Sequence, residues 1–245
     1  MPKIKFSLLS IIGGLTLLSS SAYAGVDAEV SYILNTLLFL IGGFLVMWMA
    51  AGFAMLESGL VTSKSVATIA AKNIGLYSIA GLMFWLVGYN LAYGIPEGGF
   101  IGSFLPWSDA SAVDTGYSDG SDWFFQMVFC ATTCSIVSGT LAERIKIWPF
   151  FLFCAILAGI IYPIEMGWQW GGGHLAAAGF SDFAGSTLVH SAGAAAALAG
   201  AILLGPRLGR FTDSGEAAPM APFASSSIPL ATLGVFILWM GWFGF

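Results

Sequence analysis

Between Ser31 and Leu56 the chain runs without one charged side chain, and five later stretches come close to the same condition. A bilayer core is about 30 Å thick, and a helix rising 1.5 Å per residue crosses it in about 20 residues. Apolar windows of that order lie near Ser31 to Leu56, Ile69 to Tyr93, Trp123 to Leu141, Trp148 to Met166, Phe183 to Leu204 and Ile228 to Phe245. Two-residue alternation is absent from them, which favours helices over barrel strands. The expected fold class is all-α, a polytopic membrane helix bundle of about six spans. Composition agrees: 9% of residues are charged and 58% hydrophobic, against roughly a quarter charged in soluble domains. No basic patch suggests a nucleic-acid partner.

The opening "MPKIKFSLLSIIGGLTLLSSSAYA" joins Lys3 and Lys5 to an apolar run and a small-residue Ala22-Tyr23-Ala24 end. That pattern predicts a signal peptide over 1–24 and a membrane domain over 25–245. Basic residues collect on the cytoplasmic side. Lys64 and Lys72 follow the first span, Arg144 and Lys146 the third, and Arg207 and Arg210 the fifth. The opposite connections carry Glu97, Asp109, Asp114, Asp119, Asp122 and Asp182. The mature N-terminus is therefore expected outside a cell inner membrane. Cys130, Cys134 and Cys154 lie in apolar runs without metal-ligand spacing and read as buried thiols.

With that orientation, several residues share one depth at the outer face. Phe125 and Phe129 lie in the first turns of the third span, Trp168 and Trp170 just past the fourth, and Phe245 at the end of the sixth. Such rings can hold a small cation by their faces, at about 0.5 to 2 kcal/mol per contact, or serve as a lipid-interface belt. The Gly171-Gly172-Gly173 run favours close packing beside Trp170. Asp182 is placed to cap the fifth helix. His190 lies eight residues deeper, about 12 Å along a helix, flanked by small residues that direct it into the bundle. That separation rules out an acid–base pair with Asp182 and with it an intramembrane enzyme. His174 reads as solvated, and Glu57 and Glu165 as loop-facing charges near span ends. A permanent ion is costly to bury in an apolar path. Ammonium escapes that cost by giving up a proton, and a neutral imidazole offers a donor and an acceptor to the ammonia left behind.

At these residues the sequence resembles the ammonium transporter (Amt/Mep/Rh) family, in "AGFAMLESGLVTSK", "FFQMVFCATTCSIVSGTLAERIK", "WGGGHLAAAGFSDFAGSTLVHSAG" and "GWFGF". The WGGG context favours the Amt branch. The resemblance implies the first five-helix repeat of an inverted-repeat fold plus one helix of the second. It implies that Trp170, Phe129 and Asp182 serve an outer ammonium site, with Asp182 supporting rather than travelling with substrate. It implies a stacked gate of Phe129 and Phe245 with Phe125 beside it, and His190 as the first of two pore histidines. No cofactor or metal is implied. A homotrimer, a PII-type regulatory protein and the lipid bilayer are the implied partners. The family continues past the position of Phe245, so the chain reads as the N-terminal portion of a longer transporter. Ser65 departs from the Asn that many relatives carry. An ammonium sensor or a transport-inactive fragment are the alternative readings.

Overall fold

The computed structural model describes residues 27–110 and 112–245, so the signal-peptide segment 1–24 lies outside the described residues. Five helices are long and apolar enough to cross a membrane: α1 (Ala28–Leu60), α2 (Ser63–Tyr93), α3 (Asp119–Leu141), α4 (Ile147–Gly167) and α5 (Ser186–Leu204). A shorter apolar helix, α6 (Ile228–Gly244), follows. Sequence windows and helices therefore agree in number and type. Their ends differ, because caps rather than hydropathy set them. Asp27 caps α1 by accepting the Glu29 N–H at 3.0 Å, four residues before the charge-free run begins. Ser227 caps α6, accepting the Leu230 N–H at 3.3 Å.

The helices alternate in direction, so α1, α3 and α5 begin at one end of the bundle, termed upper, where α2, α4 and α6 finish. α3 is the most buried of the five long helices. Three of its buried hydroxyls are satisfied within the helix. Thr132 donates to Val128 O at 2.8 Å, Thr133 to Phe129 O at 3.1 Å and Ser135 to Ala131 O at 3.1 Å. The three cysteines are free and buried, as expected.

The most extensive pairing joins α1 to α6. Small residues permit it: a Cβ on Gly234 would meet the Gly52 carbonyl at 2.7 Å, so the two backbones lie in near contact. In lipid, where apolar surface alone gives little drive to associate, such close approach supplies the packing energy. Pro163 brings no N–H to the α4 ladder, and the helix widens into a π turn at Leu157–Ile161 just before it. That turn faces a second π turn in α2, Phe84–Gly88.

The lower end corrects two expectations. Glu57 does not face a loop, and Lys72 is no loop cation: they are 5% and 4% exposed and form an ion pair at 2.5 Å. Lys72 also donates to Ser138 O at 3.0 Å, Asn73 to Glu57 Oε2 at 3.4 Å, and the Ser138 hydroxyl to Glu57 Oε1. Three helices, α1, α2 and α3, are thereby tied by one buried knot. A buried charge requires a partner, and the sequence windows could not reveal one 15 residues away.

Below it, Glu143 accepts the Thr62 N–H at 3.0 Å, the Ser65 hydroxyl at 2.8 Å and Arg207 Nη1 at 2.6 Å. Burial alone would raise its carboxyl, but the bonds from Thr62, Arg207 and Ser65 together outweigh that and bring it down to about 2. Glu143 takes a left-handed backbone, φ 60°, to reach all three partners. Ser65, the departure from the family pattern, is thus engaged in the structure.

Candidate functional site

At the upper end a cavity of about 490 Å³ opens between α1, α3, α6 and the segment joining α4 to α5. Phe129, 3% exposed, is the ring on which its walls converge. The i, i+4 spacing on α3 sets Phe125 beside it, centroids 4.9 Å apart at 79°. Trp170 meets it at 6.0 Å and 68°, and Phe245 at 4.9 Å and 75°. Phe245 then lies over His190 at 5.9 Å, the two rings inclined by 30°. An unbroken series of ring contacts thus runs from Trp170 at the cavity to the imidazole on α5.

The Phe129 and Phe245 rings meet edge to face. They are not stacked as the resemblance implied; an edge-to-face pair is an arrangement that aromatic quadrupoles prefer.

Trp170 is held by its own segment. Its indole N–H donates to Asp182 O at 2.6 Å, which joins the two ends of the twelve-residue spacing visible in the sequence. Gly171 packs directly on the Ala92 carbonyl, where no side chain fits. Gly185, at φ 80°, turns the chain into α5, and a Cβ there would sit 3.0 Å from the Trp170 ring.

Asp182, 6% exposed, is consumed by this turn. Its Oδ1 accepts the N–H groups of Gly185 at 2.9 Å and Ser186 at 3.1 Å. Its Oδ2 accepts those of Thr187 at 2.8 Å and Leu188 at 2.9 Å. Burial would raise this carboxyl, but the four backbone bonds prevail and lower it. The Asp182 carboxylate therefore caps α5, while the backbone carbonyl of the same residue fixes Trp170. Both of its oxygens are engaged before any ligand arrives.

Two other expectations are corrected near this end. His174 is not simply solvated: it stacks on Phe100 at 4.2 Å and meets Trp168 edge-on at 5.1 Å, and its Nδ1 is buried without a partner. Glu165 is only partly exposed and lines a second, apolar cavity between α4 and α5 instead of a loop. Among the described residues no group of three or more His, Cys, Asp or Glu side chains could hold a metal ion.

Sequence reasoning missed Gln126, Tyr93 and Phe39 in the cavity wall. Gln126 carried a usable signal, being the one polar residue within "FFQMVF" on the face that bears Phe125 and Phe129. Phe39 and Tyr93 come from other helices, and no spacing links them to the site.

Comparison with known proteins places the chain in a family and a fold. Residues 37–245 match the Ammonium Transporter Family. The Archaeoglobus fulgidus ammonium transporter Amt2 is 42% identical over 221 residues, covering 84% of this chain and 45% of that protein. The solved structure titled Sensor Amt Protein superposes with a TM-score of 0.77 at 36% identity, covering 86% of this chain and 53% of that one. Candida albicans Mep2 superposes with a TM-score of 0.74 at 24% identity, over 89% and 49%, and speaks to the fold alone. The chain spans about half the length of the relatives it matches.

Proposed function

The chain belongs to the ammonium transporter family, and from that premise we propose that it forms the first half of a path conducting ammonium nitrogen across the membrane. Its five long helices correspond to the first repeat of the family fold, with α6 the helix that follows. The upper end is read as the outside. Ammonium is recruited there between Trp170 and Phe129, whose ring faces favour a small cation by about 0.5 to 2 kcal/mol each. Asp182 supports the site by holding Trp170 and the start of α5. It does not bind the ion directly.

Phe129 and Phe245, with Phe125 alongside, form the gate. Passage of a full charge beyond them is opposed by desolvation. The ion gives up its proton to water on the cavity side of the gate, and ammonia continues along His190, whose imidazole presents one donor and one acceptor. The observation that carries this reading is the ring series Trp170, Phe129, Phe245 and His190. Cation-attracting faces stand at its wide end and a hydrogen-bonding ring at its far end.

Assembly as a homotrimer, control by a PII-type protein at the lower end, and residence in an inner membrane with the N-terminus outside belong to the same proposal. A second reading, ammonium sensing, is favoured by the likeness to the Sensor Amt Protein. Methylammonium uptake by the intact protein, in cells lacking their own ammonium transporters, separates the two. Transport predicts uptake that His190→Ala impairs or makes less selective. Wild-type flux and ion selectivity in that variant would sink the pore-lining role, and absent uptake in the wild type would favour the sensor.

A further inference from the structure

The cavity wall is apolar and aromatic except at few points, and Gln126 is the residue there whose side chain combines a strong acceptor with a fixed partner. Its Nε2 donates to Asp122 Oδ1, one turn earlier on α3, at 3.3 Å. The other oxygen of that carboxylate accepts the Tyr89 hydroxyl of α2 at 2.6 Å. Asp122 is 5% exposed and cannot turn away to water.

A carboxylate accepts hydrogen bonds and does not donate them. It therefore selects one of the two orientations of the Gln126 amide, with the NH₂ toward Asp122 and Oε1 away from it. That Oε1 is buried and has no hydrogen-bond partner. A buried carbonyl left unsatisfied is costly, and native proteins keep such groups where a ligand or water completes them. Ring faces attract any small cation without demanding direction. An oriented carbonyl oxygen adds a direction, and an N–H donor meets it.

We propose that Gln126 is the hydrogen-bond acceptor of the outer cavity, taking one N–H of the recruited cation, and that Asp122 with Tyr89 is the positioning pair that holds its amide in the accepting orientation. This rests on the reading of the cavity as an ammonium recruitment site. Tyr89 reaches Asp122 from a different helix, so the orientation of the acceptor depends on how α2 packs against α3. The carboxylate acts through the amide and does not itself meet the cation.

The test is the concentration dependence of methylammonium uptake by the intact protein. Gln126→Leu should raise the half-saturating concentration about tenfold, the effect of losing a hydrogen bond from a charged donor, with the maximal rate within about twofold of wild type. Asp122→Asn, which lets the amide turn over, should raise it by about threefold, and the double variant should be no worse than Gln126→Leu alone. Should Gln126→Leu fail to accumulate, Gln126→Met keeps the length and removes the acceptor.

A wild-type half-saturation in the Gln126 variants overturns the acceptor role. Effects of the two sites that multiply overturn the positioning role. Trp170→Leu, measured alongside, separates this from the underlying reading. If it raises half-saturation while the Gln126 variants do not, only the acceptor fails; if it too changes nothing, the recruitment site itself is wrong.

Discussion

The upper cavity and the lower knot use similar polar side chains to opposite ends. In the knot every charge is answered: Glu57 takes bonds from Lys72, Asn73 and Ser138, and Lys72 is further held by Ser138 O. Three helices meet there, and the Phe150 ring of α4 lies 5.4 Å from the Lys72 ammonium. In the upper cavity rings replace ions, and the Gln126 oxygen, buried and without a partner, belongs to a residue of the cavity wall. A carboxylate whose oxygens are all engaged fixes helices and has nothing left to offer a ligand, although the Asn73 amide oxygen in the knot is itself buried without a partner. The Gln126 oxygen differs in that its residue lines a cavity walled by aromatic rings. Asp182 belongs to the first kind although it lies beside the second, since four backbone N–H groups occupy it.

The largest expected effect breaks the knot. Lys72→Met leaves the Glu57 charge buried without its partner and should cost about 3 to 5 kcal/mol, whereas Glu57→Leu combined with Lys72→Met should recover most of that loss. Thermal unfolding in detergent, followed by circular dichroism, reads both variants. Unchanged stability in the single variant would show that the pair is incidental to the packing of α1, α2 and α3.

Asp182→Ala should cost less, about 0.5 to 2 kcal/mol, the range for a lost helix cap. The amides of Gly185 to Leu188 should lose protection in hydrogen exchange, while the knot keeps its own. Exchange at those amides matching wild type would contradict the capping role. Loss of protection spreading to α1 and α2 would mean that the two regions are not independent.

The smallest effect is a pH dependence confined to the lower turns. The Glu143 carboxyl stands at about 2 in the folded protein against an ordinary 4.5. A depressed folded value means that its contribution is fully present above about 4.5 and is lost as pH falls toward 2. Asp182, also lowered, acts in the same direction. Glu143→Gln should therefore lower the melting temperature at neutral pH by the contribution it removes and flatten its fall across that window, so that variant and wild type converge toward pH 2. An equally steep fall in the variant would place the acid sensitivity elsewhere.

Hydropathy made the helices legible. Twenty-residue apolar windows located α1 to α5 because a bilayer imposes that length on any helix that crosses it. Chemistry made the cavity partly legible: Phe125 and Phe129 share a helix face by spacing, and the Trp170 to Asp182 interval brought a ring to a helix start. Glu57 and Lys72 were misread for the same reason that the windows worked, since hydropathy scores a charge by its presence and takes no account of its partner. His174 was misread because Phe100, its stacking partner, comes from a different connection. Gln126 was passed over because its meaning depends on Asp122 and Tyr89, and only the second of these relations crosses helices.

The sequence by itself determined that this chain is a multi-pass α-helical membrane protein of the ammonium transporter family. It also placed Phe125, Phe129 and Trp170 toward one end of the bundle, because rise per residue and apolar length are local properties of a chain. Only the tertiary structure decided which side chains meet: that Phe129 and Phe245 touch edge to face, that Glu57 and Lys72 neutralise one another, and that a glutamine oxygen is left without a donor. Those outcomes depend on the crossing of helices whose residues lie far apart in the chain, and pairwise electrostatics and packing at such crossings have no signature in any one segment.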